Sequence, residues 1–361
     1  PEGLVPKDYN TYQIFEKDDL VFKLIDLENY KTSRVGLVHK RGIMSSAYIR
    51  LILLNNNHPK YHYYLYFSWY LSGVYNKLGA GVRSTLSSKD LLELSIQNPP
   101  LSEQTQIAKF LDWKLSQINK FIKAKKRMIE LLKEQKQVII NDAVTGKIDV
   151  STGKPYPKYK DSGVEWLGKV PEGWEVLPIR RLTKFVKTGG TPKNTSDIHF
   201  SENGFDWFTP SDLGNSIFIK NSERKLSEIG LKEVKIFPQN SIYFVGIGAT
   251  IGKIGICKSV ASCNQQINVM AVNDKISSQF FVICLISMKT FILKCGKYTT
   301  LPIINQDDMK QLKLPVPNIT NQEQICKYID SRTTNADKII THTEREIALI
   351  QEYRDRLISD A

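Results

Sequence analysis

Apolar residues recur at alternating steps of three and four along two long segments of the chain, a spacing typical of amphipathic helices with one narrow apolar seam. The first segment runs from Pro99 to Ala143 and the second from Pro317 to Ala361. They align without a gap at a constant offset of 218 residues. The two copies are identical at Gln104/Gln322, Gln106/Gln324, Ile107/Ile325, Lys109/Lys327, Asp112/Asp330 and Asp142/Asp360. The pattern therefore predicts one long helix that occurs twice.

The apolar seam of each predicted helix must face another helix. The seam positions are Leu111, Leu115, Ile118, Ile122, Ile129, Leu132 and Ile139 in the first copy, and Ile329, Ala336, Ile340, Ile347, Ile350 and Leu357 in the second. Residues 101–147 carry a net charge of +5 and residues 318–361 one of −2. These opposite charges favour pairing of the two copies with each other, although screening keeps the preference modest. The alternative is that each helix packs only on its own domain.

The starts of both helices carry a capping pattern. Thr320 and Glu323 have the spacing of a capping box, and Ser102 takes the same place in the first copy. We therefore predict that Thr320 and Ser102 are the N-cap residues. At about 1.5 Å per residue, a helix of ~40 residues is about 60 Å long.

A globular region precedes each helix and shows a weaker form of the repeat. Asp19–Phe22 is similar to Asn240–Tyr243, Ser33–Leu37 to Gly252–Ile256, and Asp90–Leu94 to Asp308–Leu312. Runs of β-branched and aromatic residues between Gly, Asn and Asp predict a mixed α+β fold for both regions. The predicted parts are a first globular region (1–98, which we expect to be incomplete at its start), a first spacer helix (99–147), a linker (148–165), a second globular region (166–316) and a second spacer helix (317–361).

The composition is that of a globular protein, with 361 residues, 41% hydrophobic and 24% charged. The longest clean apolar run, Phe280–Met288, is too short to cross a bilayer. No signal-peptide pattern follows Pro1, and we expect a soluble cytoplasmic protein. The five cysteines include no CxxC pair, which predicts reduced thiols rather than disulfides or a zinc site.

The net charge of +13 suits a polyanionic partner. Residues 148–317, the linker together with the second globular region, carry +7, and residues 1–100, which contain the first globular region, carry +3. The basic excess therefore lies mainly in the two globular regions and the first helix, which favours nucleic acid as the partner. Many basic proteins are charged only for solubility, so charge alone does not decide the matter.

Two basic domains, each followed by a nearly identical helix, resemble the specificity subunit of type I restriction–modification enzymes. The residues that carry this resemblance are the helix start Pro99–Ile107, the helix end Asp142–Asp149, the opening Ser162–Trp174 of the second domain, and the motifs Thr188–Pro192, Gly248–Lys253, Asn264–Gln266, Ser33–Val38 and Ser45–Tyr48. The resemblance covers essentially the whole chain. Asn321 departs from it, since the first copy has Glu103 at that place, and the first domain lacks its opening motifs.

The resemblance implies a function for each part. The subunit would be non-catalytic, with two target-recognition domains that each bind half of a split sequence in double-stranded DNA. The helices would form an antiparallel coiled coil that sets the spacing and docks two methyltransferase (modification) subunits. S-adenosylmethionine would be bound by those subunits, and ATP and Mg²⁺ by a restriction subunit that can join.

Lysine, arginine and amide side chains are the candidates for DNA contacts, because phosphates need cations and base edges need bidentate donors and acceptors. In Lys187–Lys193, two glycines allow close backbone approach and two threonines offer hydroxyls; Asn264–Gln266 suit adenine. The predicted DNA-binding residues are Lys31, Arg34, Lys40, Arg41, Arg83, Lys187, Thr188, Thr191, Lys193, Lys253, Asn264, Gln265, Gln266, Lys297 and Thr299. The alternative for Lys187–Lys193 is an ordinary exposed turn, and for Asn264–Gln266 it is a set of polar residues at a strand end. The alternative for the basic residues of the first domain is that they are solvated surface charges.

The tyrosines between Tyr61 and Tyr66 could stack on bases, but packing with Trp69 in a core is the favoured interpretation.

An enzymatic function is the main alternative. Asp212, Glu233 and Lys235 have a loose nuclease-like spacing, which would make the chain a DNA endonuclease. Asn98–Leu101 and Gly246–Lys253 only approximate methyltransferase and phosphate-loop motifs, and the five histidines show no metal-ligand spacing. We predict no catalytic residue, no metal site and no cofactor in this chain. A coiled-coil assembly protein without a DNA role is the third possibility.

Overall fold

The computed structural model describes residues 12–25, 27, 33–54, 56–78, 85–193, 197–214, 216–289, 291–292, 297–298 and 302–361. Four predicted DNA contacts fall outside this description: Lys31, Arg83, Thr299 and the side chain of Lys297. The chain divides into two compact units, Pro1–Glu130 with Ile340–Ala361, and Leu131–Ile339.

The first unit contains short strands and three short helices ahead of the long helix. Its strands are β1 (Gln13–Phe15), β2 (Leu20–Phe22), β3 (Val35–Leu37), β4 (Gly42–Met44) and β5 (Ile49–Leu51), and its helices are α1 (Pro59–Leu71), α2 (Val74–Leu78) and α3 (Ser88–Glu93). Strand β2 pairs antiparallel with β3 and β5. Tyr61 and Tyr66 are buried, and Tyr66 meets Trp69 edge to face, as the core interpretation predicts.

The second unit is built on a five-stranded sheet. Its strands are β6 (Tyr159–Asp161), β7 (Lys169–Pro171), β8 (Glu175–Pro178), β9 (Thr183–Thr188), β10 (Phe200–Phe208), β11 (Phe218–Ile219), β12 (Lys225–Leu226), β13 (Ser241–Val245), β14 (Ile254–Cys257), β15 (Ser262–Cys263), β16 (Ile267–Val272), β17 (Lys297–Tyr298), β18 (Pro302–Ile303) and β19 (Lys313–Val316). Its short helices are α5 (Glu228–Lys232), α6 (Ser278–Ser287) and α7 (Gln306–Gln311). The large sheet has the order β11-β14-β13-β16-β9.

Alternate residues of β13 pack into two separate cores, one on each face of that sheet. Ile242 and Phe244 belong to the core that contains α6, and Tyr243 and Val245 to the core on the other face. Because both faces of β13 are buried, its sequence is a continuous apolar run rather than an alternation of apolar and polar residues.

The repeat extends into the strands of the two units, but the structurally equivalent residues are shifted by one position from those paired in the sequence alignment. Val21 faces Gly36 across β2 and β3, and Tyr243 faces Gly255 across β13 and β14. Val21 is therefore the counterpart of Tyr243, so the alignment of Phe22 with Tyr243 is wrong by one position. A slip of one residue exchanges the two faces of a strand, and a run of three or four residues is too short to fix it from sequence.

The two long helices are α4 (Leu101–Val144) and α8 (Ile319–Asp360). They begin earlier than the capping pattern predicts, so Ser102 and Thr320 lie inside the first turn and the N-cap prediction is wrong. At the start of α8, the Asn318 side chain accepts a hydrogen bond from the backbone N–H of Asn321 at 2.8 Å. The short side-chain oxygen of Asn318 satisfies a backbone donor that the helix leaves free.

The predicted linker is folded. Strand β6 pairs with β7, and the Tyr159 hydroxyl donates to the carbonyls of Gly146 and Lys147 at 3.1 Å. Gly146 has a φ of 72°, and a Cβ there would lie 2.5 Å from Pro171, so only glycine fits this turn.

Within each unit the long helices pair antiparallel. In the first unit Lys125 forms an ion pair with Glu346 at 2.8 Å, and Lys114 lies 6.0 Å from the Tyr353 ring. In the second unit Lys136 pairs with Asp337. Every predicted seam residue is buried or half-buried.

Lys125 and Lys136, which lie between apolar seam positions of α4, thus each form an ion pair with α8. Cys257, Cys263, Cys284 and Cys326 are free and buried, and burial raises the pKa of the Cys326 thiol to about 12. Among the described residues no helix is both long and apolar enough to span a bilayer.

Candidate nucleic-acid interface

Several loops of the second unit meet at one end of the five-stranded sheet. Strand β9 ends at Thr188, which faces Asn268 of β16, and β13 ends at Val245, which faces Ile267. The backbone N–H of Ile304 donates to Gly246 at 2.8 Å and brings the start of α7 to the same place. This sheet end therefore collects the segments 187–193, 246–253, 264–266 and 303–307.

A polar groove of about 360 Å³, here called the recognition groove, lies between these segments. Its polar side chains are Thr188, Gln265, Gln266, Asn268, Asn305, Gln306 and Asp307. Three of the predicted contacts, Thr188, Gln265 and Gln266, are thus brought together. Asn268 and Gln306 are additional residues that sequence reasoning missed. Asn268 lies beside Thr188 because β9 pairs with β16, and Gln306 does so because the bond from Ile304 to Gly246 brings the start of α7 there.

The segment Lys187–Lys193, here called the recognition loop, runs against the groove. The backbone N–H of Gly189 donates to the Ile267 carbonyl at 3.1 Å, and that of Gly190 donates to the Cys263 carbonyl at 2.9 Å. A Cβ on Gly189 would lie 2.4 Å from the Cys263 carbonyl oxygen, whereas one on Gly190 would meet open space. The close approach expected from the two glycines therefore applies to Gly189 alone.

The predicted cations of the second unit separate into two groups. Lys187 and Lys193 are exposed on the recognition loop, where they can reach a phosphate. The Lys253 ammonium donates a hydrogen bond to the Pro210 carbonyl at 3.2 Å, and this side chain does not line the recognition groove.

Two predicted amides have local roles. Asn264 is 9% exposed and bonds Gln266 through both its side-chain atoms, so it shapes the turn before β16. Gln265 accepts from the Thr191 hydroxyl and thereby joins the turn to the recognition loop.

The first unit gives a different result for its cations. Arg34 is buried and donates to the carbonyl of Ile25 at 3.1 Å, which contradicts its assignment as a DNA contact. The sequence offered no sign of this burial, because it depends on where the Ile25 carbonyl lies in space. Lys40 and Arg41 are exposed, and Arg41 forms an ion pair with Glu16 at 3.1 Å.

The residues of the nuclease alternative all have structural partners. Both carboxylate oxygens of Asp212 accept backbone N–H groups, from Thr209 at 2.7 Å and from Glu223 at 2.9 Å. Glu233 and Lys235 contact the recognition loop instead. In the described part of the chain, no three His, Cys, Asp or Glu side chains form a group that could hold a metal ion.

A second kind of surface occurs once in each unit, where both long helices meet the globular helix. Spacer groove 1, of about 620 Å³, lies beside α1, and spacer groove 2, of about 600 Å³, lies beside α6. Their linings correspond at the 218-residue offset: Asp112/Asp330, Leu115/Thr333, Ser116/Thr334, Asn119/Asp337, Arg354/Lys136 and Ile358/Ile140. Each groove thus combines a cation, a carboxylate and an isoleucine at equivalent places.

Two α+β modules, each attached to the helix of an internal repeat, define a recognition protein with two domains on helical spacers. The chain belongs to the family described as the type I restriction modification DNA specificity domain, whose sequence model matches residues 3–131 and 171–349. The resemblance drawn from the sequence is confirmed, and the chain has the organisation of a type I specificity subunit with two recognition domains.

Individual relatives agree with the family. The specificity subunit of the type I restriction enzyme EcoBI from Escherichia coli is 23% identical over 328 residues, which cover 89% of this chain and 68% of the relative. The EcoR124I/EcoR124II specificity subunit from Escherichia coli is 29% identical over 215 residues, covering 56% and 50%. These relatives are named specificity subunits, not endonucleases.

A solved chain from work on complex assembly and conformational transition of the type I R-M system has the same fold. It superposes with a TM-score of 0.72 at 14% identity, over 96% of this chain and 82% of the solved one.

Proposed function

We propose that this chain is the non-catalytic DNA-recognition subunit of a type I restriction–modification complex, and that each globular region reads one half of a split DNA sequence. The observation that carries the proposal is the convergence of amides and exposed lysines at one end of the second sheet. Gln265 and Gln266 line the recognition groove with amides, the groups that can pair with adenine, and Lys187 and Lys193 suit phosphates.

The net charge supports a nucleic-acid partner for the second region. Lysines that neutralise phosphates release counterions, so binding would weaken steeply as salt rises. An assembly protein without a DNA role would lack this salt dependence. Lysines that served only solubility would have no reason to lie beside a groove lined with amides.

The two spacer grooves support a partner that binds twice. Because the helix residues that line them are equivalent in position and share a cation, a carboxylate and an isoleucine, we assign both grooves to one kind of partner, two methyltransferase subunits. S-adenosylmethionine would be bound by those subunits, and ATP and Mg²⁺ by a restriction subunit that joins the complex. In this proposal the present chain supplies base recognition and docking and performs no chemistry.

The experiment is capture of the tagged chain from its native cells, with identification of bound proteins and mapping of genomic DNA methylation with and without its gene. We expect a methyltransferase partner and the loss of methylation at one split sequence when the gene is deleted. Unchanged methylation and no methyltransferase among the captured proteins would refute the proposal. Metal-dependent DNA cleavage by the purified chain would support the endonuclease instead.

A further inference from the structure

We infer that Trp207 and Glu233 are positioning residues that hold the recognition loop in the conformation that binds DNA. The inference rests on the proposed function, because it assigns a role to that same site. Neither residue lines the recognition groove, and both act on the backbone of the loop rather than on a ligand.

The start of the recognition loop is fixed by the sheet, and its remainder by side chains. Thr188 lies in β9, and the N–H groups of Gly189 and Gly190 donate to backbone carbonyls beside it. Beyond this point, the indole Nε1 of Trp207 donates to the Gly190 carbonyl at 3.0 Å, and the Glu233 carboxylate accepts from the Lys193 N–H at 2.8 Å. The two side chains therefore fix the middle and the end of the loop.

Trp207 is itself held rigidly. It is 3% exposed, it lies in β10 opposite Ser262, and its backbone N–H donates to the Ser222 hydroxyl at 3.1 Å. Its ring meets Phe200 at 5.8 Å, with the Arg224 guanidinium 5.5 Å from its centre. A donor on a buried ring in a strand can place the Gly190 carbonyl within narrow limits.

Glu233 joins the loop to a second segment of the domain. It follows the end of α5, and its Oε1 lies 3.6 Å from Nε2 of the buried His199, while Oε2 accepts from Lys193. Two residues later, the Lys235 ammonium donates to the Thr188 carbonyl at 3.3 Å. The short segment from Glu233 to Lys235 thus contacts both ends of the recognition loop.

Such bracing matters because base recognition depends on geometry. A loop that is already ordered loses less conformational entropy on binding, and bidentate contacts to a base tolerate little displacement. Thr191, Gln265 and the flanking lysines would keep their chemistry without the braces, but they would no longer be presented together. The nuclease-like spacing of Glu233 and Lys235 has the same explanation, since both residues support the loop.

The test uses the complete complex with its methyltransferase subunits and the split sequence that the wild-type complex methylates. The variants are Trp207→Phe, which removes the donor but keeps a ring, Glu233→Ala, and Glu233→Gln, which keeps an oxygen that can accept from Lys193. Glu228→Ala, at an exposed carboxylate in α5, is the matched control.

We expect Trp207→Phe and Glu233→Ala to slow methylation of the wild-type target about tenfold, the effect of losing one or two hydrogen bonds. Base preference should relax in one half of the split sequence only. Glu233→Gln should stay within about twofold of the wild type, since its amide oxygen still accepts the bond, and Glu228→Ala should be unchanged.

Wild-type rates and unchanged base preference in Trp207→Phe and Glu233→Ala would overturn the inference while leaving the proposed function intact. Equal losses in Glu233→Ala and Glu233→Gln, with a lowered unfolding temperature and both halves affected, would show a purely structural role and overturn it as well. A wild-type complex that methylates no split sequence would instead refute the proposed function, and the inference with it.

Discussion

Gln104 and Gln322 stand 218 residues apart and make the same hydrogen bonds, each within its own unit. Each Nε2 donates at 2.8 Å to the carbonyl of the proline five residues earlier. Each Oε1 accepts, also at 2.8 Å, from the backbone N–H of the residue that caps the globular helix, His58 before α1 and Ser277 before α6. Both glutamines are buried. Each therefore fastens the helix of its recognition domain to the start of its spacer helix.

Replacement of either glutamine should destabilise the protein. Gln104→Leu leaves the half-buried N–H of His58 without its acceptor, and we expect a loss of about 1–2 kcal/mol in the free energy of unfolding. Gln106→Leu, at an exposed position two residues later, is the control and should change stability by less than about 0.5 kcal/mol. Urea unfolding followed by circular dichroism measures both values. Equal stabilities of the two variants would contradict the role given to Gln104.

The two glycines of the recognition loop should differ in their tolerance of a methyl group. Gly189→Ala would force the Cβ against the Cys263 carbonyl and displace the loop, whereas Gly190→Ala adds its methyl to open space. We expect DNA binding by the full chain to fall at least about tenfold for Gly189→Ala, since the displaced loop loses aligned contacts. Binding of Gly190→Ala should stay near the wild-type value. The protein is titrated into a labelled DNA duplex that contains the split sequence methylated by the wild-type complex, and fluorescence anisotropy measures the affinity of each variant.

The spacer grooves should each accept one methyltransferase subunit. Ser116 and Thr334 are equivalent, exposed residues in spacer grooves 1 and 2, so Ser116→Trp and Thr334→Trp fill one groove each without entering a core. We expect each single variant to bind one subunit and the double variant to bind none, as measured by native mass spectrometry. The exposed Gln117 does not line spacer groove 1, and Gln117→Trp is the control that should still bind two. Two subunits on the double variant would rule out this docking site.

Protonation of His62 should weaken the fold. His62 is buried in α1, and burial lowers its pKa below the usual 6.5. The unfolded chain therefore binds the proton more readily, so the stability that neutral His62 provides is present above pH 6.5 and is lost as the pH falls below that value. The slope from one such group is at most about 1.4 kcal/mol per pH unit.

Comparison with His62→Gln isolates this contribution. The free energy of unfolding of the variant should fall less steeply between pH 7 and pH 5 than that of the wild type, as measured by denaturant titration at each pH. Identical slopes in the two proteins would show that His62 protonation does not contribute.

The spacing of apolar residues determined the long helices. A seam that repeats over four heptads in each helix, from Leu111 to Ile139 and from Ile329 to Leu357, admits few other structures, and the ungapped repeat identified which positions are equivalent. For this reason the seam from Leu111 to Leu357 and the family were predictable. The N-cap prediction failed at Ser102 and Thr320, because neighbouring residues such as Asn318 can also cap the first turn of a helix.

Tertiary structure decided the recognition site. Thr188, Gln265 and Gln306 are far apart in the chain, and only the pairing of β9 with β16 and the bond from Ile304 to Gly246 bring them to one groove. Arg34 has the chemistry of a DNA contact but is buried, and Glu233 has that of a catalytic acid but braces a loop. Residue type fixes what a side chain can do, and its neighbours in space determine which of those things it does.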